Sequence, residues 1–406
     1  MKKIWWILII GIALRLFLSF STFHSDLQAF NLAGKIISSG NTLNLYDYLS
    51  NLPNNDLVKK IAVLNYPPAI YFFHGAFNLI YTDIFKMSFV NDFLIERADN
   101  YRNILFNFHS LFLKLPYLIF DLLTAFILFK LFNSEKQSKI AFTLWIFNPV
   151  NLYSTYMMGQ FDIIPTFFVI FSLYLAGKSR VNLAALSLGL GIAFKIFPIF
   201  LLVPLILLGE NYISKIKLFL LSVLPYLLSI VPFINSQGFR QTALVASQSD
   251  KSLYALLPVS GGESIFFFPA SLIFFYLIIW NRKEKYLWKL YLIPLLLFFV
   301  FTHYHPQWLL WITPFLIMNL IFERFKNLLA MLLIVGSWFG SLFFFEPSLT
   351  LGLFSPIFPN LYNTYSIWNL LKIDIDYHFS RSILQTVFAA SAFYLIYNSS
   401  LKSANE

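Results

Sequence analysis

Carboxylate, amide and imidazole side chains stand in this sequence where long apolar segments end. Asp26 follows the first apolar segment, Gln160 and Asp162 follow a later one, and His303 and His305 follow another. A carboxylate can take a proton from an attacking hydroxyl, whereas carboxylate and amide groups together can bind the hydroxyls of a sugar. These residue types therefore indicate acid–base chemistry on a substrate that carries hydroxyls.

Asp26 lies at the predicted start of a helix. Ser25 and Gln28 have the spacing of a capping box, which predicts a helix that runs to Gly40 along the membrane surface. The apolar face of this helix consists of Leu27, Phe30, Ala33 and Ile37. The helix dipole stabilises a carboxylate in the first turn, so Asp26 is either a catalytic group or an ordinary helix-stabilising residue.

Lys195 interrupts a long apolar run, Leu183 to Leu208, and Pro198 follows closely. A lysine at the centre of a membrane span costs roughly 2.5–3.5 kcal/mol on insertion scales. Two short half-helices that meet at Phe194–Pro198 beside a cavity are therefore predicted. The favoured role of Lys195 is that of a counter-charge to an anionic phosphate, and the alternative is snorkelling toward the membrane surface.

The other polar motifs leave alternatives open. Gln160 and Asp162 would bind sugar hydroxyls, or they would form an ordinary polar turn between two spans. His303 and His305 could bind a phosphate, a substrate or a metal, or they could belong to an interfacial aromatic belt. Phosphate or substrate contact is favoured, because a metal would need further ligands. The Asn65-Tyr-Pro-Pro68 motif by itself predicts a rigid turn.

The composition of the 406 residues places these motifs in a membrane protein. Hydrophobic residues make up 58% of the chain and charged residues 12%, against roughly 25% charged residues in soluble domains. The net charge of +10 lies mostly in short clusters between apolar runs, which is typical of cytoplasmic loops and not of a nucleic-acid-binding surface. The absence of cysteine excludes disulfides, thiolate metal sites and a cysteine nucleophile. The predicted fold is an all-α polytopic membrane protein, with one domain over residues 1–406.

The basic clusters predict the topology. About twelve transmembrane crossings place both termini in the cytoplasm of a multi-pass cell-membrane protein. The first outer loop, about residues 23–113, would carry interfacial helices and an apolar stretch, Ala69–Ile80, that is too short to span the bilayer. Arg15 and Asp121 lie within spans and would pair with each other. The candidate residues gather on the outer face, which has two further loops at about 235–263 and 346–381.

These motifs, in this order, resemble those of the GT-C superfamily of membrane glycosyltransferases, particularly the polyprenyl-phosphate-mannose-dependent mannosyltransferases. The resemblance covers most of the chain and implies a GT-C-like bundle. The motifs that carry it are Arg15, His24-Ser-Asp26, Leu45-Tyr-Asp47, Tyr66-Pro-Pro68, Lys114-Leu-Pro116, Asp121, Asn148-Pro149, Gly159-Gln-Phe-Asp162, Lys195 with Pro198, and His305-Pro-Gln-Trp308 with Pro314.

In enzymes of this superfamily an acidic residue of the first outer loop serves as, or lies near, the catalytic base, and Asp26 is the matching position. The implied reaction moves a sugar, mannose above others, from a polyprenyl-phosphate donor to an extracytoplasmic glycan or lipid acceptor with inversion. Lys195, His303 and His305 would stabilise the departing phosphate. The sugar or substrate would contact Gln160, Asp162, Tyr66 and Gln307. A single Asp, in place of an Asp-X-Asp pair, leaves the use of a divalent cation, Mg²⁺ or Mn²⁺, open.

Two other functions fit part of the pattern. A polytopic secondary transporter would also have many crossings and a broken central helix pair, but the sequence has no inverted repeat and its intramembrane charges all precede the midpoint. A lipid-scaffolding or assembly protein would not need acidic, basic and imidazole groups on one face. The glycosyltransferase is the favoured prediction, and the transporter is the alternative.

Overall fold

The computed structural model describes residues 2–53, 64–85, 101, 103–244, 246, 250–280 and 286–401. Within these residues the regular structure is helical apart from one antiparallel hairpin, β1 (Leu256–Pro258) with β2 (Ser264–Phe266). The α-helices are, in chain order, α1 (Lys2–Ser21), α2 (Asp26–Ser38), α3 (Leu45–Ser50), α4 (Pro68–Phe85), α5 (Ile104–Lys130), α6 (Glu135–Ile146), α7 (Pro149–Asn151), α8 (Ile163–Gly177), α9 (Val181–Phe194), α10 (Leu202–Ile206), α11 (Tyr212–Ile230), α12 (Gln237–Phe239), α13 (Phe267–Trp280), α14 (Leu287–Phe301), α15 (Thr313–Phe322), α16 (Leu328–Leu342), α17 (Ile367–Leu370) and α18 (Tyr377–Leu401). Parts of the predicted first outer loop, 54–63 and 86–100, lie outside the described residues, as does the predicted cytoplasmic basic cluster at 282–285.

Among the described helices, four are long and apolar enough to cross a membrane, and shorter apolar helices of 10–17 residues accompany them. The four long segments are Lys3–Ser21, Ile104–Lys130, Tyr212–Phe233 and Tyr377–Ser399. These helices support an all-α integral membrane protein. The predicted number of about twelve crossings and the orientation of the termini stay predictions.

Two predicted spans are broken in the structure. The sequence predicts one span over Ile140–Met157, but α6 ends at Ile146 and a π-helical turn, Leu152–Met157, follows α7. The break arises because Asn148 caps α7 by accepting from two backbone N–H groups, and because Pro149 at the first helical position has no N–H to continue α6. The predicted span Trp308–Ile321 likewise begins as a 3-10 helix, Pro306–Trp311, before α15.

The predicted break at Lys195 is confirmed. Helix α9 ends at Phe194, Lys195 has extended backbone angles (φ −156°, ψ 137°), and a 3-10 helix, Phe197–Leu201, leads into α10. An extended residue between two helices turns its side chain away from both helix axes. The break therefore places the Lys195 ammonium inside the protein, where only 6% of the residue is exposed.

The predicted pairing of Arg15 with Asp121 is also confirmed. Arg15 Nε donates to Asp121 Oδ2 at 2.6 Å, and both side chains are fully buried. Asp121 accepts three further hydrogen bonds, from Trp145 Nε1 (2.7 Å), Asn151 Nδ2 (2.8 Å) and the Tyr156 hydroxyl (2.6 Å). This network ties α1 and α5 to α6 and the π-helical turn.

Helices α2 and α4 form a packed layer in the predicted first outer loop. The predicted apolar face of α2 is buried at Leu27, Phe30 and Ala33 and partly buried at Ile37. The Phe30 ring stacks on His74 of α4 with centroids 5.0 Å apart. Helix α4 is longer than the predicted short apolar stretch, and it begins at Pro68, directly after the non-helical residues Asn65–Pro67 where the motif predicted a rigid turn. This layer supports the start of α2, where Asp26 lies.

Candidate active site

A polar cavity of about 970 Å³ opens beside the start of α2. Five of the eight residues that the sequence nominated line it: Asp26, Tyr66, His303, His305 and Gln307. The rest of the lining comes from chain neighbours of these residues, such as His24, Asn65 and Trp308, from Met158, and from residues between Phe344 and Arg381, in the predicted outer loop 346–381 and its flanks. The cavity therefore collects polar residues from segments that are far apart in the sequence.

Asp26 presents its carboxylate to this cavity, with 41% of the side chain exposed. Gln160 Nε2 donates to Asp26 Oδ2 at 2.5 Å, and His24 Nδ1 lies 3.7 Å from the same oxygen. The predicted capping box is wrong. Ser25 has helical backbone angles (φ −61°, ψ −23°) and its side chain makes no cap hydrogen bond, while Gln28 is buried. The helical conformation of Ser25 removes the geometry from which an N-cap side chain reaches back to the helix.

The turn from Gly159 to Asp162 connects Asp26 to the interior. Gly159 has φ +71°, and a Cβ there would lie 2.7 Å from the Leu27 side chain, so no larger residue fits without strain. Gln160 leaves this turn toward Asp26, and its backbone N–H donates to Ser154. Asp162 leaves it in the direction of Lys195. The turn therefore directs Gln160 to Asp26 and Asp162 to Lys195, although the sequence predicted both as substrate-binding residues.

Lys195 forms a buried ion pair with Asp162. Its Nζ lies 2.7 Å from Asp162 Oδ1, which also accepts from Trp311 Nε1 at 2.5 Å. The ammonium is enclosed by four aromatic rings with centroids 5.2–5.5 Å away, those of Tyr66, Phe161, Trp308 and Trp311. This environment excludes the snorkelling alternative. The contact of Lys195 with a phosphate and that of Asp162 with a sugar stay predictions, because in the structure the two charges pair with each other.

Two cationic residues that the sequence did not nominate lie in or directly behind the lining of this cavity. Lys251 Nζ lies 2.7 Å from Nε2 of His305, which lines the cavity, and Arg381 lines the cavity itself. Lys251, His303, His305 and Arg381 are called the cationic wall below. Lys251 and Arg381 stand in no recognisable motif. The one feature that could have identified them is a basic residue on the predicted outer side, which the positive-inside rule disfavours.

Three groups of the cationic wall, Lys251, His303 and His305, have lowered pKa values. Burial lowers the pKa of the Lys251 ammonium. Burial and the neighbouring Lys251 lower the pKa of His305 to about 4, and burial with Lys251 and Arg381 lowers the pKa of His303. At neutral pH the imidazole of His305 is therefore uncharged and accepts a hydrogen bond from Lys251. An arriving anion would relieve the mutual repulsion of these groups.

The His305 pKa predicts a pH dependence of stability. Because its pKa of about 4 in the folded protein lies below the ordinary value of 6.5, the unfolded chain binds more protons between these values. The free energy of unfolding should then fall as the pH drops from about 6.5 to about 4. In His305→Gln, which keeps a polar partner for Lys251, this decline should be shallower. Denaturation midpoints of the two proteins at a series of pH values measure it. The exposed His378→Gln should keep the wild-type slope, and equal slopes for all three proteins would contradict the assignment.

A second, mostly apolar cavity of about 280 Å³ joins the polar one. The two share Asn65, Tyr66 and Trp308 as lining residues. The second cavity, called the apolar groove below, is bordered by Lys195 and by Ile196, Phe197, Ile199, Phe200 and Phe298. Ile196 and Ile199 are each 38% exposed, so the groove reaches the outer surface of the helix bundle. An apolar chain bound there would have its polar end at the polar cavity.

The described residues contain no group of three or more His, Asp or Glu side chains placed to hold a metal ion. His24, Asp26, His303 and His305 all line the polar cavity, without forming such a group. The use of Mg²⁺ or Mn²⁺ stays a proposal.

Comparison with known proteins gives matches to parts of the chain. Residues 117–234 match the family model of glycosyltransferase family 87. The chain is 35% identical over 95 residues to GPI mannosyltransferase 1 of Saccharomyces cerevisiae, which is 23% of each protein. It is 33% identical over 128 residues to GPI mannosyltransferase 1 of Candida albicans, 30% of this chain and 29% of that protein.

The alignments thus span about a quarter of the length of these curated relatives. They confirm the resemblance to membrane mannosyltransferases, together with the integral membrane character that the apolar helices indicate. The family match contains Asp121, Gln160, Asp162 and Lys195 but ends before the cationic wall and begins after Asp26. These partial matches do not establish the activity of the whole chain.

Proposed function

We propose that this protein transfers a mannosyl group from a polyprenyl-phosphate donor to a hydroxyl of a glycan or lipid acceptor on the extracytoplasmic face, with inversion. The observation that carries the proposal is the position of Asp26 in a polar cavity that has a cationic wall and continues into an apolar groove. A donor of this class has a sugar, a phosphate and a prenyl chain in that order. The mannosyltransferase relatives favour mannose as the sugar.

The proposed reaction is a single displacement. The Asp26 carboxylate accepts the proton of the acceptor hydroxyl while the hydroxyl oxygen forms a bond to the anomeric carbon of the donor sugar. The bond from that carbon to the donor phosphate breaks, and the polyprenyl phosphate leaves with the electron pair. Gln160 holds the Asp26 carboxylate in place through its 2.5 Å hydrogen bond. Binding of donor and acceptor in one cavity supplies the proximity that the step requires.

The cationic wall is the proposed site of the donor phosphate. His305 lines the polar cavity, Lys251 lies 2.7 Å from it, and Ser252 and Trp308 line the apolar groove. A phosphate there gains charge as the sugar departs, and groups that are already oriented toward it stabilise that charge in the transition state. Arg381 extends the positive charge along the same wall, with the His303 imidazole beside it. This role adds Lys251 and Arg381 to the residues nominated from sequence.

The sugar is proposed to lie between Asp26 and the wall. Gln307 Oε1 and Trp308 Nε1 are buried and have no hydrogen-bond partner among the described residues. Both side chains line the polar cavity. An unpaired buried donor and acceptor are unfavourable until a ligand satisfies them, and sugar hydroxyls can do so. Tyr66 and Gln160 complete the proposed sugar contacts. Asp162, which pairs with Lys195, lies in the same turn as Gln160.

Lys251→Met should raise the KM for the donor by roughly 10–100-fold, since a hydrogen bond to a charged group contributes about 1.5–3 kcal/mol. The change removes the charge and keeps most of the apolar length of the side chain. Initial rates at varied donor concentration measure it. Lys372→Met removes an exposed charge of the outer loop that does not line the cavity and should leave the donor KM within twofold. Equal effects of the two substitutions would exclude a specific phosphate contact.

The function is tested by sugar transfer in a defined system. Purified protein in lipid nanodiscs is incubated with a panel of radiolabelled polyprenyl-phosphate sugars and membrane extract as acceptor, with and without EDTA. Transfer of label from the mannose donor to a lipid or glycan product supports the proposal, and loss of transfer with EDTA would assign a cation. No transfer from any donor, with uptake of a substrate into sealed vesicles instead, would favour a transporter.

A further inference from the structure

Lys114, from the Lys114-Leu-Pro116 motif, has no role in the proposed function. It lies within α5, and its side chain is fully buried. The ammonium contacts only oxygens of the chain: the carbonyl of Thr22 (2.6 Å), the carbonyl of Ser19 (3.3 Å), the Thr22 hydroxyl (3.4 Å) and the carbonyl of Met157 (3.5 Å). Among the described residues no carboxylate lies within 4.0 Å of it. A buried lysine without an acidic partner is unfavourable in a membrane protein, where buried ionisable residues usually have a function.

The oxygens around Lys114 belong to two segments that lead directly to the candidate active site. Thr22 is four residues before Asp26, and Met157 is three residues before Gln160. Further hydrogen bonds join the same segments: the Thr22 hydroxyl donates to the Met157 carbonyl at 3.0 Å, and the Ser110 hydroxyl of α5 donates to the Thr22 carbonyl at 2.9 Å. The ammonium therefore lies at the point where the segment carrying Asp26 meets the segment carrying Gln160.

We propose that Lys114 is a positioning residue that holds the Asp26 segment and the Gln160 segment in register, so that the Gln160 amide reaches the Asp26 carboxylate. The inference rests on the proposed function, because the register matters only if Asp26 must point at a substrate. A displacement of about 1 Å at a reacting group can lower a rate about 100-fold. Carbonyl oxygens suit this role, since a single ammonium can donate to several of them at once.

The kinetic test compares Lys114→Met with a matched variant. Lys114→Met keeps the length of the side chain and removes its charge and donors. The expected result is a fall in kcat of roughly 100-fold with the donor KM changed by less than threefold, because Lys114 does not line the polar cavity or the apolar groove. Lys114→Gln, which can still donate to one carbonyl, should recover part of the rate. Lys289→Met serves as control, since Lys289 is another buried lysine, 3.5 Å from Glu323 and away from both cavities.

A second test does not depend on activity. The chain contains no cysteine, so the pair Asp26→Cys and Gln160→Cys can be joined by a short bifunctional methanethiosulfonate reagent without background. The cross-link should form readily, fall several-fold when Lys114→Met is added, and persist when Lys289→Met is added. This readout stands even if no sugar transfer is found, which would count against the proposed function alone. An unchanged cross-link yield with Lys114→Met, or an equal loss with Lys289→Met, would overturn the positioning role.

Discussion

Asp26→Asn is expected to lower sugar transfer by roughly 10³-fold, within the range of 10²–10⁴ that general acid–base groups contribute. Asparagine keeps the shape of the side chain and an acceptor for the Gln160 amide, which donates to Asp26 Oδ2 in the structure. It has no basic oxygen to take the acceptor proton. The loss should therefore fall on kcat, while binding of the donor changes little. Single-turnover rates at saturating donor measure the chemical step.

Asp47→Asn is the matched control for this prediction. Asp47 is also an acidic residue of the first outer loop, in the first turn of α3, but its carboxylate accepts from the backbone N–H of Gly238 and does not line the polar cavity. An asparagine there keeps an acceptor for that bond. Transfer by Asp47→Asn should stay within about threefold of the wild-type rate, as expected for a change outside the reacting groups. Wild-type activity in Asp26→Asn would exclude Asp26 as the base.

Asp121→Leu is expected to reduce the free energy of unfolding by about 3–5 kcal/mol, the range for breaking a buried ion pair by removing one partner. Arg15 would be left buried with its charge unpaired, and the donors of Trp145, Asn151 and Tyr156 would lose their acceptor. The loss is therefore larger than that of one hydrogen bond. Unfolding in SDS, followed by circular dichroism, measures it.

The double variant Arg15→Met with Asp121→Leu separates charge from packing. Replacing both partners of a buried pair by apolar residues is often neutral or stabilising, since no charge remains to be solvated. The double variant should recover part of the stability that Asp121→Leu loses. A double variant that unfolds as early as the single one would show that the polar network around Asp121, and not the ion pair, holds α1 against α5.

Local features of the fold were readable from the sequence where one residue decides the backbone. Lys195 followed by Pro198 predicted a broken helix, because a lysine is costly in a lipid-exposed span and a proline interrupts the helical hydrogen bonds. The proline motif predicted the turn that precedes α4. The same reasoning would have found the break after Ile146, since Asn148 and Pro149 form a helix-start signal. There the continuous apolar run dominated the prediction and gave the wrong result.

Contacts between distant segments were not readable. The Gln160 amide and the Asp26 carboxylate are 134 residues apart, and Lys251 and His305 are 54 apart. Residue types nominated Asp26, Gln160 and His305 but gave no partners, because a single sequence contains no record of which segments approach each other. Lys251 was missed for a related reason: a lone lysine in an outer loop becomes informative only when the fold places an imidazole 2.7 Å from it.

The ion pair of Lys195 with Asp162 gives both residues a different role from the one that the sequence predicted. Sequence reasoning treated each residue as a separate substrate contact. In the structure they neutralise each other inside an aromatic enclosure, and the positive charge that faces the polar cavity comes from the cationic wall. The proposed phosphate site therefore rests on Lys251, His305 and Arg381 more than on Lys195.

The anomeric configuration of the product shows whether the sugar is transferred by one direct displacement at Asp26. Purified protein in nanodiscs would be supplied with a polyprenyl-phosphate mannose of known configuration, and the new linkage would be assigned by NMR and by digestion with anomer-specific mannosidases. We expect a product of opposite configuration to the donor, since the hydroxyl attacks the face opposite the leaving phosphate. Retention of configuration would require a covalent intermediate and two displacements, and it would contradict the assignment of Asp26 as a general base.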